Sequence, residues 1–181
     1  MGRLKNLKIS RKNLKFCKKI QIILFLIQFL IISTLIYFKC NYVINVTPSL
    51  PRGIYRLEKP ENLKQGDIVL FDIDEDIKEM MAERKYIPNK KTKLLKTIGA
   101  FENNKIQIID EVLYIDMENY GRILTCDMEG RKLPKIKIMV EKGYFLALTN
   151  KNLSYDSRYF GQVRLEKIEK KAKLVYRFKE K

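Results

Sequence analysis

The sequence predicts a mainly β domain behind a single N-terminal transmembrane helix, and three observations predict it. Residues 20–38, IQIILFLIQFLIISTLIYF, run for 19 residues without a charge. At 1.5 Å per residue such a helix spans about 28 Å, close to the hydrocarbon thickness of a bilayer. Beyond residue 41, short β-like runs recur between turn signals at 53–57, 67–71, 92–98, 105–109, 112–115, 135–140, 143–148 and 173–178, without regular alternation with helices. Only 75–85, EDIKEMMAERK, carries a helical stripe in this region, through Ile77, Met80 and Met81, and its expected role is packing.

The domain organisation follows from these elements. Residues 1–19 form a basic tail, 20–38 the membrane span, and 41–181 a domain of a common single-domain size. A net charge of +16 first suggests nucleic acid, but half of it sits in the tail as Arg3, Lys5, Lys8, Arg11, Lys12, Lys15, Lys18 and Lys19, with no acid among them. Beside an apolar run, such a tail is a membrane-orientation signal, so no nucleic-acid partner is expected. Only Lys39 follows the run directly. The N-terminus is therefore expected in the cytoplasm and the domain outside, with Tyr37 and Tyr42 suited to anchor at the outer interface. A cleaved signal peptide would have a shorter apolar core followed by small residues, whereas this run ends in Tyr37, Phe38 and Lys39. The three cysteines, Cys17, Cys40 and Cys126, make neither a metal-type spacing nor a disulfide framework.

Just after the span, Thr47-Pro48-Ser49-Leu50-Pro51-Arg52-Gly53 holds a serine between two prolines. Each proline fixes its own φ and biases the preceding residue to extended geometry, which makes the serine backbone stiff. That suits a nucleophile, and it equally suits a turn linking an anchor to a domain. A serine hydroxyl needs a base within hydrogen-bond reach. The chain has no histidine, which excludes Ser-His-Asp and Cys-His arrangements and the usual zinc hydrolase sites. Lysine is then the leading candidate base, and no metal or cofactor is implied.

In the run 92–98, strand alternation puts Leu94, Lys96 and Ile98 on one face, so Lys96 stands in an apolar row. An inward-pointing lysine protecting an edge strand has the same pattern. A base, however, must be unprotonated, and desolvation is what lowers a lysine pKa toward neutrality. A third stretch, 143–161, is a strand running into a polar loop with Ser154, Asp156 and Arg158. Asp156 and Arg158 are two apart, a spacing that also serves an ordinary structural ion pair.

Thr47-Pro48-Ser49-Leu50-Pro51-Arg52-Gly53-Ile54-Tyr55, Leu94-Leu95-Lys96-Thr97-Ile98-Gly99 and Ser154-Tyr155-Asp156-Ser157-Arg158-Tyr159-Phe160-Gly161 resemble, in order and spacing, the signal peptidase superfamily, and within it the TraF-type peptidases of conjugative transfer. Gly66-Asp67, the segment 81–88 ahead of the lysine, and the segment 127–134 add to the likeness, which covers nearly all of 45–165. The resemblance implies a Ser-Lys dyad serine endopeptidase with a mainly β catalytic domain at the outer face of a bacterial cytoplasmic membrane. Ser49 would be the nucleophile and Lys96 the general base. The Ser49 backbone N–H and the Thr47 hydroxyl would serve the oxyanion, Ser154 would orient the lysine, and Asp156 with Arg158 would support the site. The implied partner is a protein or peptide substrate with an exported, membrane-associated segment, such as a pilin-like or conjugative-transfer protein. Two boxes depart from the housekeeping leader-peptidase pattern, at Phe101-Glu102-Asn103-Asn104 and at Leu148-Thr149-Asn150, and both suit the transfer type better. General removal of signal peptides, and a catalytically silent component of a secretion or conjugation apparatus, stand as the alternatives.

Overall fold

The structure, a computed structural model, describes residues 11–149 and 152–179, with side chains from residue 18 onward. The first ten residues of the basic tail, and Asn150 of the last box, lie outside the described residues. The helix and the β region form two compact units.

Helix α1 runs Arg11–Asn41. Its stretch Lys18–Asn41 is long and apolar enough to cross a membrane by length and composition. Two polar side chains inside it bond back to the helix itself. Thr34 Oγ1 donates to the Leu30 carbonyl at 2.8 Å and Asn41 Nδ2 to the Tyr37 carbonyl at 2.8 Å. A segment without water around it needs such internal partners.

The second unit is built on an antiparallel sheet. Its strands are β1 (Tyr42–Asn45), β2 (Gly53–Glu58), β3 (Ile68–Phe71), β4 (Leu94–Ala100), β8 (Tyr144–Leu148), β9 (Val163–Arg164) and β10 (Ile168–Arg177), in the order β1-β2-β10-β3-β4-β8-β9. A separate meander holds β5 (Ile106–Ile109), β6 (Val112–Ile115) and β7 (Glu118–Arg122). Its two turns are two residues long, Asp110-Glu111 and Asp116-Met117, all four at positive φ. Paired left-handed residues give a turn whose twist matches the flanking strands.

Strand β8 explains how the layers fit. Phe145 and Ala147 join the main core with Val69, Phe71, Leu94 and Ile98, while Leu146 and Leu148 join a second core with Leu113, Ile115 and Tyr120 of the meander. A strand covered on both faces reads as a continuous apolar run, as Tyr144–Leu148 does. Helix α2 (Glu75–Glu83) buries Met81 and packs Ile77 and Met80 against the main core, which is the packing role its stripe predicts. It ends two residues earlier than the pattern suggests, and Lys85 takes a positive φ of 60°.

One expected strand is absent. Residues 135–140 carry no ladder, although Ile136, Ile138 and Val140 are less exposed than the residues between them. Ile138 and Val140 lie against the second core. Alternation reports which side chains face inward, and here that burial is reached without a partner strand. The short strands β1, β7 and β9 and the one-turn helix α3 (Ser157–Phe160) have no comparable sequence signal, because two to five residues with mixed polarity establish no period.

Candidate active site

The serine lies in a turn: residues 47–50 bend between β1 and β2. Asn45, the last residue of β1, sets this turn. Its Nδ2 lies 3.0 Å from the Thr47 carbonyl, 3.1 Å from that of Leu50 and 3.2 Å from that of Pro51. Its Oδ1 accepts from the Thr47 backbone N–H at 3.2 Å and from the Thr47 hydroxyl at 2.7 Å. Tyr55, fully buried in β2, donates its hydroxyl to the Pro51 carbonyl at 2.7 Å. The Thr47 and Ser49 hydroxyl oxygens are 3.2 Å apart. They meet because of this turn. Sequence reading passed over Asn45 and Tyr55. An asparagine two residues before Thr47 is the available signal, since such side chains bond the backbone two residues on.

Lys96 lies inside the sheet. Strand β4 has β3 on one side and β8 on the other, and Lys96 pairs with Val69, so the edge-strand reading does not apply. Leu94, Lys96 and Ile98 are all buried, as their alternation predicts. Lys96 Nζ donates to Ser154 Oγ at 2.5 Å. Burial pushes the lysine pKa down from the ordinary 10.5 to about 8; the nearby Asp156 charge opposes this and the Arg158 charge adds to it.

A second buried lysine, which the sequence did not single out, shows what makes Lys96 different. Lys78 of α2 is equally buried but pairs with Asp72 at 2.5 Å and Glu75 at 3.3 Å. Its hydrogen bond to Asp72 holds the pKa above the ordinary value despite the burial. Among the described residues, no carboxylate lies within ion-pair distance of Lys96. Of the two, only Lys96 is placed to lose its proton near neutral pH.

The loop 154–158 supplies the rest. Asp156 caps the one-turn helix α3, its Oδ1 accepting from the Arg158 backbone N–H at 3.2 Å. The two side chains also form a two-point pair, Nε to Oδ1 and Nη2 to Oδ2, each at 2.8 Å, with both fully buried. Arg158 Nη1 reaches the carbonyls of Tyr120 and Arg122 at 3.2 Å, and Nη2 reaches that of Ser154 at 3.4 Å. Burial alone would lower the arginine pKa, but the Asp156 bond outweighs it and the pKa is raised. The guanidinium thus fastens the backbone of Ser154, the residue that meets Lys96, to strand β7. Gly121 makes this close approach possible: it has φ +90°, and a Cβ there would come within 3.0 Å of Arg158 Nη1 and 2.5 Å of Asn152 Oδ1. Ser157 completes the corner by accepting from the Ala147 backbone N–H at 2.8 Å.

The segments 81–88 and 127–134 pack on each other beside this loop. Tyr86 donates to Asp127 Oδ2 at 2.5 Å, Arg131 Nε to the same oxygen at 2.7 Å, and Arg131 Nη2 to the Arg84 carbonyl at 3.1 Å. Tyr86 stacks toward Tyr155, and Tyr155 toward Tyr159, with centroids 4.9 and 5.4 Å apart. Burial pushes the Tyr155 pKa up to about 12. Among the described residues there is no group of His, Cys, Asp and Glu side chains arranged to hold a metal.

A serine held in a braced turn, and a desolvated lysine held by a second serine, are a set of groups suited to acyl transfer. The family model described as signal peptidase, peptidase S26, matches residues 14–177, and the chain belongs to that family of peptidases. Its TraF-type character rests on a direct relative: the conjugal transfer protein TraF of Agrobacterium fabrum (strain C58 / ATCC 33970) is 30% identical over 133 residues, covering 68% of this chain and 75% of the relative. Among solved structures, a signal peptidase I from Enterococcus faecalis V583 aligns over 61% of this chain and 97% of its own, with 18% identity and a TM-score of 0.38.

Proposed function

We propose that the chain is a single-pass membrane serine endopeptidase that matures exported substrates, pilin-like or conjugative-transfer proteins among them, through a Ser49–Lys96 dyad. The observation that carries the mechanism is Lys96: a lysine inside the sheet, with no carboxylate within ion-pair distance among the described residues, held by Ser154 and brought to a pKa of about 8. Ser49 attacks the scissile carbonyl while Lys96 takes the hydroxyl proton. The tetrahedral oxyanion is met by the Ser49 backbone N–H and the Thr47 hydroxyl. Lys96 returns the proton to the leaving amine, and water or an amine resolves the acyl-enzyme. Ser154 orients the lysine, and the Asp156–Arg158 pair holds Ser154.

Only deprotonated Lys96 is active in this scheme. The kcat/KM of the free enzyme should therefore rise about tenfold per pH unit on the acid side and level off above pH about 8. A profile flat from pH 6 to 9 would remove Lys96 from the base role.

The relation to conjugal transfer protein TraF supports the transfer-type substrate, and the charge asymmetry around residues 20–38 supports an inside N-terminus and an outside domain. An impermeant thiol reagent on intact cells should label a variant retaining only Cys126, whose side chain is exposed, and leave one retaining only Cys17 unlabelled. Labelling of Cys17 would reverse the topology.

A further inference from the structure

The hydrogen bonds of the serine turn have a direction, fixed by the protons available to them. Asn45 is buried, and both ends of its side-chain amide are assigned by their partners. Only Nδ2 can face the carbonyl oxygens of Thr47, Leu50 and Pro51, so Oδ1 is the end that meets the Thr47 hydroxyl and backbone N–H. An amide oxygen only accepts, so the single hydroxyl proton of Thr47 goes to Asn45. In the 3.2 Å contact between the Thr47 and Ser49 hydroxyls, the donor is therefore Ser49. The bonds run from Ser49 to Thr47 to Asn45, and among the described residues Lys96 Nζ bonds Ser154 and not Ser49.

The far end of this line is rigid. Asn45 pairs with Gly53 across β1 and β2. Gly53 lies so close to β10 that a Cβ there would run into the Tyr176 carbonyl. Just beyond that strand, the Phe178 backbone N–H holds the Arg52 carbonyl at 2.9 Å. Asn45 Oδ1 thus stays in place, while the two hydroxyl protons can each rotate to another acceptor.

We infer that Asn45 is a positioning residue for the reaction: by taking the Thr47 proton it directs the Ser49 proton to Thr47, and so away from Lys96, until a substrate carbonyl arrives. This rests on the dyad reading above and adds the resting state to it. The oxyanion forms beside Ser49 Oγ, so a Thr47 proton aimed at it occupies the side of Thr47 that the Ser49 proton holds at rest. Turning Thr47 from Asn45 to the oxyanion therefore releases the Ser49 hydroxyl to Lys96. No covalent bond changes in this exchange. Two hydroxyl protons change acceptors, and proton transfer to Lys96 follows as in the mechanism above.

The titration of Lys96 in the full-length protein in detergent, without substrate, tests this. NMR of protein isotope-labelled at the lysine Cε reads it, with the Lys96 signal assigned by its absence in Lys96→Met. The Asp156 and Arg158 charges that act on the lysine are the same in every other variant. In the otherwise native chain, Ser49→Ala should leave the Lys96 midpoint unmoved, because the Ser49 proton is held by Thr47. Thr47→Val and Asn45→Ala should each free that proton to bond the neutral amine, lowering the midpoint by roughly half a pH unit. Adding Ser49→Ala to either should restore it. A residue that only braces the turn would change stability without coupling Ser49 to the lysine. A midpoint that follows Ser49→Ala in the otherwise native chain, or that ignores Ser49 in every background, would overturn the role of Asn45. If Asn45→Ala does not fold, the Thr47→Val comparison decides alone, since it leaves the three carbonyl contacts of Asn45 in place. Cleavage that persists in Ser49→Ala, read in a separate assay, would instead end the dyad reading itself.

Discussion

Ser49→Ala and Lys96→Ala should each abolish processing, lowering kcat/KM by several orders of magnitude while the protein stays folded and membrane-inserted. In the proposed mechanism the nucleophile and its base act as one unit, so the double variant should be scarcely worse than either alone. The lysine variants carry a second, opposite signature in stability. In the folded chain Lys96 titrates at about 8 and in the unfolded chain near the ordinary 10.5. The unfolded state therefore binds more protons between those values, and burying the charge costs about 3 kcal/mol at all pH below 8, at roughly 1.36 kcal/mol per pKa unit. That cost fades as pH rises from 8 to 10.5. Lys96→Met, which keeps the apolar stem, should raise the unfolding free energy by about that amount at pH 7 and by little at pH 10.5. Urea unfolding of the detergent-solubilised chain at the two pH values checks this. Cleavage by either alanine variant at near wild-type rate would end the dyad assignment, and a Lys96→Met variant destabilised at pH 7 would place the lysine among structural residues.

Thr47→Val should lower kcat by about 10²–10³, the usual effect of losing one oxyanion donor, with little change in KM, whereas Thr47→Ser should keep most activity. The physical reason is a shortage of donors. The Ser49 N–H supplies one, and Pro48 has no N–H to add. The Thr47 hydroxyl is 3.2 Å from the attacking oxygen, within reach of the charge that forms beside it. At rest its single proton is given to Asn45 Oδ1, so the hydroxyl must turn from Asn45 to the oxyanion as the tetrahedral intermediate forms. The same bond supplies the competing role, bracing the turn. Asn45→Ala separates the two, because it removes three further contacts to loop carbonyls. It should disturb stability and KM, which Thr47→Val should not. A valine variant within about threefold of wild-type kcat would leave Thr47 as a brace and the second donor elsewhere.

The sequence by itself determined the apolar span, the serine between two prolines, the lysine in an apolar row and the ordered series of boxes, because each is a local pattern: a run, a period of two, or a fixed spacing. It also predicted the mainly β character and the packing stripe of α2, since a buried face leaves a period wherever an element is long enough. Tertiary structure alone decided which lysine is left without an ion-pair partner among the described residues. Lys78 and Lys96 are both buried, and only folding brings Asp72 to the first and a serine hydroxyl to the second. It decided, too, that Asp156 and Arg158 are more than a local pair: the carbonyls of Tyr120 and Arg122, more than thirty residues away in the chain, complete the guanidinium's bonds and fix Ser154 against Lys96. A pKa, like a buried ion pair, depends on what surrounds the group in space, and sequence spacing carries no record of that environment.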